Sequence, residues 1–380
     1  MTTAGFWISL LALLYVYFFY PVLLILRARL CAQPVRKALY EPEVSIILSL
    51  YNEEKTIARK IENLLELDYP AEKFEILIGS DGSTDSTDAI LESFRDARLR
   101  FRRFAQNRGK PQVLNSLISE ARGSILVFTD ARQRIDPAAL RRLAENFADP
   151  YVGCVSGELF FEDEPGSGVA RGMGLYWNYE KLLRKKESQA GSMLGATGAL
   201  YAVRSERVPE MPGNILADDL FIPLAVSLKG YRSIFEEEAR AYDAVSLRGS
   251  QEFTRKVRTL AGNYQILEFL PGLRNPFQSF LAWQFWSHKV LRLFVPFFLI
   301  VLFAASCLLA QSPFYRGAMG SQMIFYALAV WGWRCDRART KCPSFCSLAF
   351  TFCLLNAAAA FALPRFLRKE KTARWRKAYD

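Results

Sequence analysis

Residues 44–54 read VSIILSLYNEE. An apolar strand over Val44–Leu50 ends in a tyrosine, an asparagine and two glutamates, and beyond them Ile57, Ile61, Leu64 and Leu65 recur at helical spacing. In an open α/β sheet, ligands bind outside the carboxyl ends of strands, so Tyr51, Asn52, Glu53 and Glu54 stand where a ligand would. Taken alone they serve equally well as a helix cap and as acids complementing the helix dipole.

The same arrangement recurs along the chain. Phe74–Gly79, Leu99–Phe104 and Ser124–Thr129 read as strands; Ile90, Leu91 and Phe94, then Val113, Leu114, Leu117 and Ile118, fall at helical spacing between them. Strands alternating with helices of this length predict βαβ units, a parallel sheet and one α/β domain over residues 40–263. The second strand leads into Asp81, placed beside Tyr51 and Glu53 to accept hydrogen bonds from a base or ribose, or else to cap a turn. Asn107-Arg108-Gly109-Lys110-Pro111 offers cations to a phosphate ahead of a helix. The fourth strand delivers Asp130, and a carboxylate with a diphosphate is how a hard cation such as Mg²⁺ is usually held. No GxGxxG follows the first strand, which argues against a dinucleotide fold.

Composition places this domain beside membrane segments. The chain has 380 residues, 51% hydrophobic, with net charge +11 and mean hydropathy +0.05, too apolar for a disordered or nucleic-acid-binding chain and too charged for a wholly embedded one. The single histidine, His288, excludes Ser-His-Asp and Cys-His catalysis and multi-His metal sites, leaving carboxylates as base and metal ligands. The seven scattered cysteines read as small buried hydrophobes, with a zinc site at Cys335, Cys342 and Cys346 the minor alternative.

Gly5–Leu26 carries no charge and is followed by Arg27, Arg29, Arg36 and Lys37, so a transmembrane helix is expected within residues 1–30, with the α/β domain after it in the cytoplasm. Residues 264–291 read as an interfacial amphipathic region. Residues 292–364 hold candidate spans at Phe294–Ala310, Met319–Trp333 and Phe345–Leu363, and residues 365–380 form a basic tail. Three spans after a cytoplasmic domain would leave that tail outside, against the positive-inside rule, so one segment is re-entrant or the count is wrong.

On these residues the chain resembles the membrane-bound family 2 inverting glycosyltransferases, which have a GT-A fold, a nucleotide-diphospho-sugar transferase domain of Rossmann-like α/β type. Cellulose, hyaluronan and poly-N-acetylglucosamine synthases are of this kind. The resemblance implies that Tyr51, Glu53, Asp81 and Lys110 contact the nucleotide-sugar. Asp130 matches the first acid of the Asp-x-Asp metal motif for Mg²⁺ or Mn²⁺, which here reads Asp130-Ala131-Arg132. Either Asp130 holds the metal with waters and phosphate oxygens, or Arg132 takes over part of the neutralisation.

Gly195-Ala196-Thr197-Gly198 resembles the acceptor segment, implying Gly195, Thr197 and Gly198 as acceptor residues. Ala217-Asp218-Asp219 is similar to the Thr-Glu-Asp element, which implies Asp219 as catalytic base with Asp218 beside it. Arg255-Lys256-Val257-Arg258-Thr259 resembles the Gln/Arg-x-x-Arg-Trp element, implying Arg255 at the donor and Arg258 at the leaving diphosphate. Thr259 stands where the family carries an acceptor-stacking tryptophan, which leaves room for transfer of one or a few sugars. Arg248 and Lys256 also suit anionic lipid headgroups.

The expected protein is a multi-pass enzyme of the inner or plasma membrane with a cytoplasmic catalytic domain. It would take a nucleotide-sugar, a UDP-sugar foremost, pass the sugar to a glycan or lipid-linked acceptor, and contact membrane lipids but no nucleic acid. A glycolipid-forming transferase similar to ceramide glucosyltransferases, and a catalytically silent membrane scaffold, are the alternatives.

Overall fold

The computed structural model of the chain describes residues 1–162, 168–244, 249–338 and 340–368. After helix α1 (Thr2–Leu30), strands β1 (Val44–Leu50), β2 (Phe74–Asp81), β3 (Leu99–Phe104) and β4 (Ile125–Phe128) lie parallel in the order β3-β2-β1-β4. They alternate with α2 (Ile57–Leu65), α3 (Thr87–Ser93) and α4 (Lys110–Ile118). The two-residue period of β1 sorts its side chains between two cores. Ile46, Leu48 and Leu50 meet Ile57, Ile61 and Leu64 of α2 on one face, while Ile47 meets Val113, Leu114 and Leu117 of α4 on the other. β2 extends past Gly79 because Ser80 and Asp81 still pair with Arg103 and Phe104. α3 stops at Ser93, and Phe94 turns to extended backbone and packs against the first core.

The second half supplies β5 (Arg134–Ile135), β6 (Val152–Glu162), β7 (Tyr201–Arg204) and β8 (Arg232–Ala244), with helices α5 (Ala139–Glu145), α6 (Gly168–Ala190) and α7 (Asp218–Leu228). They complete one sheet in the order β3-β2-β1-β4-β7-β6-β8-β5. Here the parallel expectation fails. β7 runs antiparallel to both β4 and β6, and β5 antiparallel to β8. Tyr201 begins β7 at the edge where β4 ends, straight after the 195–198 segment, so the chain must run back down the sheet.

Beyond the sheet come α8 (Gly249–Phe269), α9 (Phe280–Leu308), α10 (Pro313–Ala338) and α11 (Ser344–Leu367). Among the described residues α1, α9 and α11 are long and apolar enough to cross a membrane. The expected break between an interfacial helix ending at residue 291 and a span beginning at 292 is absent: α9 runs unbroken through a π turn at Trp286–Val290. Of the polar residues that suggested an interface helix, Gln284 and His288 are buried and Lys289 is half-buried, while Gln278 is exposed ahead of the helix. Likewise α8 continues past residue 263 to Phe269.

Met319–Trp333 is the middle of α10, which does not reach the hydropathy of the other three. Cys335, Cys342 and Cys346 gather in one buried cluster, and no group of three or more metal-ligating side chains is found among the described residues. Arg248 and all of the basic tail beyond Arg368 lie outside the described residues.

His288 is the centre of a polar junction between the sheet domain and the apolar helices. Its Nδ1 lies 2.6 Å from Glu187 and its Nε2 3.2 Å from Glu180, both on α6. The Tyr20 hydroxyl of α1 donates to Glu187 at 2.9 Å. Arg292 pairs with Glu180, and Lys289 lies 3.5 Å from the same carboxyl.

Candidate active site

The carboxyl ends of β1, β2 and β4 share one edge. After β1, the loop carrying Tyr51 and Glu53 is knitted to the loop after β2. Asn52, in left-handed backbone at φ 55°, accepts from the Thr84 amide at 2.8 Å. The Glu53 amide donates to Thr87 Oγ1 at 2.8 Å, and its carboxylate accepts from Thr56 Oγ1 at 2.8 Å.

Asp81 is fully buried, and its carboxylate accepts from the backbone amides of Arg108 at 2.7 Å and Gly109 at 2.8 Å. Burial raises its pKa against those two bonds. The Cβ of any larger residue at Gly82 would lie 2.8 Å from the Asn107 amide, so this glycine lets the 106–109 loop fold over the strand end. Asp81 in this structure anchors that loop through both carboxylate oxygens.

What the loop delivers is Lys110. Its ammonium lies 2.9 Å from Asp130 Oδ1 and 3.2 Å from Asp218 Oδ2. Burial works against its charge, but Asp130 and Asp218, with Asp219 behind them, hold its pKa above the usual lysine range. Asp130 Oδ2 accepts no hydrogen bond among the described residues.

Asp219 opens α7 beside Asp218, and its backbone carbonyl accepts from the Ala196 amide at 2.8 Å. That bond ties α7 to the 195–198 segment, which is also held where Thr197 N donates to Ser156 Oγ at 3.0 Å. A Cβ on Gly198 would sit 3.4 Å from Asp130 Oδ2 and 3.5 Å from Asp219 Oδ2, so the two carboxylates border the same spot and only hydrogen occupies it. Gly195 packs beside Leu220 on the other side of the segment. Burial, then the charges of Asp218 and Asp130, push the Asp219 carboxyl up to about 6 in spite of Lys110 and Arg184.

The structure thus brings together Lys110, Asp130, Asp218, Asp219 and Gly198. It does not bring Arg255 to them. That guanidinium is held by Glu252 at 2.5 Å on its own helix. Arg258 is exposed and makes no hydrogen bond or ion pair among the described residues. It stands one turn before Gly262, whose missing side chain lets α8 pack on Ala217 next to the acids. Thr259 Oγ1 donates to the Arg255 carbonyl at 3.1 Å. Arg132 Nη2 donates to Asp243 at 2.6 Å, so its charge is balanced on β8.

Three residues escaped the sequence reading. The Lys60 ammonium is buried under Asp130, donating to Thr129 Oγ1 at 2.9 Å and the Gln133 carbonyl at 2.8 Å, and burial lowers its pKa to about 7. A lysine on the apolar stripe of α2 was the available signal. Tyr201 stacks on Phe128 and donates to Asp218 at 3.3 Å. Arg184 of α6 reaches the field of Asp219; burial lowers its pKa, and nothing in its local sequence marks it.

Oxygen donors fit a divalent cation here in one way. Asp130 presents one unengaged carboxylate oxygen, and the remaining ligands would be diphosphate oxygens and water, a common arrangement for Mg²⁺. Asp243 is engaged at Oδ2 by Arg132 and by Gln133 at 2.8 Å, while its Oδ1 is buried without a partner among the described residues.

Residues 45–207 match the family described as Glycosyl transferase family 2. The chain is 25% identical over 229 residues to the poly-beta-1,6-N-acetyl-D-glucosamine synthase of Staphylococcus aureus (strain COL), covering 59% of this chain and 55% of that one. It is 25% identical over 198 residues to the beta-monoglucosyldiacylglycerol synthase of Synechocystis, covering 50% and 41%. The chain thus spans about half the length of the curated relatives it matches. A mannosyltransferase from Pyrobaculum calidifontis, solved with GDP-Man and Mn²⁺, superposes with a TM-score of 0.73 at 24% identity, over 97% of this chain and 100% of that one, and shows the same fold. The mixed sheet with acids at its ligand edge is a GT-A fold, and this chain carries a glycosyl transferase family 2 domain.

Proposed function

We propose that the protein transfers a sugar from a nucleoside diphosphate donor to a hydroxyl of a glycan or lipid-linked acceptor, inverting the anomeric centre. The observation that carries this reading is the pairing of Asp130 and Asp219 across Gly198, with Lys110 bridging Asp130 and Asp218 beside them. An acceptor hydroxyl over Gly198 would give its proton to an Asp219 oxygen. Its oxygen then bonds to the anomeric carbon from the face opposite the diphosphate, and the carbon–oxygen bond to the diphosphate breaks with its electron pair leaving on phosphate. Lys110 and Arg258 are the cations available to the charge that develops there. A divalent ion on Asp130 would neutralise part of the same charge. The acids bound to Lys110 must yield it in part to the donor, which is why Asp218 belongs to the machinery without touching the sugar.

The relatives named for polysaccharide and glycolipid synthesis favour the two acceptor classes equally. A lipid-borne acceptor gains support from α8, which carries Arg258 and lies along the apolar α11: Phe253 meets Phe361 at 5.8 Å and Tyr264 stacks on Phe366 at 5.3 Å. With α1, α9 and α11 as the crossings, the end of α11 lies on the same side as the sheet domain, where the basic flanks would hold both in the cytoplasm.

The test is a donor panel. Detergent-purified protein with UDP-glucose, UDP-N-acetylglucosamine or GDP-mannose and Mn²⁺ should release the nucleoside diphosphate from one of them, with the product identified by mass. A chelator should cut that rate at least about tenfold, and added Mn²⁺ should restore it. Silence with every donor would leave the scaffold reading in place.

A further inference from the structure

A cavity of about 260 Å³ lies where the ends of α1, α6 and α7 meet the start of α9. Arg27, Arg232, Gln284, Ser192, Ser227 and Phe280 line it, and no carboxylate does. The Arg232 guanidinium is fixed by backbone carbonyls alone, those of Gln33 at 2.7 Å, Gly191 at 3.0 Å, Ser188 at 3.1 Å and Pro34 at 3.4 Å. Arg27 stacks over the Phe280 ring at 3.8 Å, and its buried Nε has no hydrogen-bond partner among the described residues. Gln284 is fully buried, and neither its amide nitrogen nor its oxygen has a partner among the described residues.

Two cations and an unpaired amide around one space are costly unless something fills it, because a buried polar group without a partner loses its hydration for nothing. The occupant that answers this chemistry is an anion with both acceptor oxygens and a hydroxyl. Phosphate oxygens match guanidinium and amide donors, and a hydroxyl on the phosphate or its ester would satisfy the Gln284 oxygen. The cavity is smaller than the roughly 300–1,000 Å³ of sites for drug-sized ligands, which points to a headgroup and not a nucleotide. It is also remote from the chemistry, since Asp219 opens α7 and Ser227 is at its far end, about 12 Å along the helix axis. Leu26 and Leu30, close to Arg27 in sequence, and Phe277, three residues before Phe280, are exposed apolar side chains of the kind acyl chains cover.

We propose that this cavity binds a phosphate group, carried by an anionic phospholipid headgroup at the end of α1 or free in solution. The lipid source rests on α1 lying in a bilayer; the phosphate chemistry does not, and neither depends on the glycosyltransferase reading. Dihexanoyl-phosphatidylglycerol, dihexanoyl-phosphatidylcholine and inorganic phosphate are titrated separately into the detergent-solubilised full chain, and binding is read as the rise in melting temperature. Phosphatidylglycerol should stabilise the wild type more than phosphatidylcholine. Arg27→Gln and Gln284→Leu should each weaken its apparent Kd at least about tenfold. Gln284→Glu, close in shape but anionic, should abolish the effect, which keeps the test open if either of the other variants fails to fold. An equal response to inorganic phosphate, lost in the same variants, supports the site with free phosphate as its source. No response to either anion, or an undiminished response in the folded variants, overturns the proposal.

Discussion

Asp219→Asn should lower kcat for sugar transfer by at least about 10²-fold while leaving the KM for the donor nearly unchanged. The asparagine keeps the shape of the side chain and the backbone bond to Ala196, but it cannot take a proton from the acceptor. The wild-type rate should also carry the signature of this group. Because burial and the charges of Asp218 and Asp130 raise the Asp219 carboxyl to about 6, kcat should climb as pH rises through 6 and level off above it, and the variant's residual rate should lack that limb.

Stability should move the other way. An aspartate whose folded pKa lies above its unfolded value of about 3.9 favours the folded state only while protonated, so that contribution is lost as pH rises from about 4 to 6. At pH 7.5 the asparagine variant, relieved of a buried charge among acids, should melt higher than the wild type. Near-normal turnover in Asp219→Asn would remove Asp219 as the base; a flat wild-type profile between pH 5 and 8 would show that its titration does not limit the rate.

Local pattern made the ligand edge readable. Val44–Leu50 and Leu99–Phe104 coincide with β1 and β3 to the residue, because a run of apolar or alternating side chains bounded by polar turns has no other use. Asp130 could be picked out for the same reason, as the acid that follows an apolar strand, whereas Asp219 stood out only through the resemblance of Ala217-Asp218-Asp219 to the family's Thr-Glu-Asp element. Pairing between distant segments was out of reach. Asp81 looks like a ligand contact by position, yet its oxygens go to two backbone amides 27 and 28 residues away. Lys110 reads as a phosphate cation, and only the fold shows it shared between Asp130 and Asp218. The polar residues of 284–289 carry an amphipathic signal that fits a membrane interface as well as a protein partner, and α6 is the partner.

That partnership sets the second large effect. Glu180→Gln should destabilise the protein by about 3–5 kcal/mol, because removing one member of a buried ion pair strands the other. Glu180 is the carboxylate that meets Arg292, and it also meets Lys289 and His288. Among the described residues Arg292 Nε and Nη2 are buried and already without partners, and no second acid pairs with the guanidinium. Burial alone would raise the Glu180 carboxyl, but Arg292, Lys289 and His288 outweigh it and hold it well below the usual range. The group therefore contributes stability above its unfolded pKa of about 4.3 and loses it only as pH falls through its lower folded value, so the variant's deficit should be constant from pH 6 to 8.

The loss should reach the active site by one route. On the same helix Glu187 joins His288 and Tyr20, and its other oxygen accepts from the Leu194 amide at 3.3 Å, one residue before the Gly195–Gly198 segment over which the acceptor is proposed to lie. At a temperature where Glu180→Gln remains folded, the acceptor KM should rise more than the donor KM, since the hydrogen bond from this junction reaches the residue before the 195–198 segment. Equal changes in both would mean that the junction holds the fold together without positioning the acceptor. An unchanged melting temperature would mean that Arg292 finds its countercharge elsewhere.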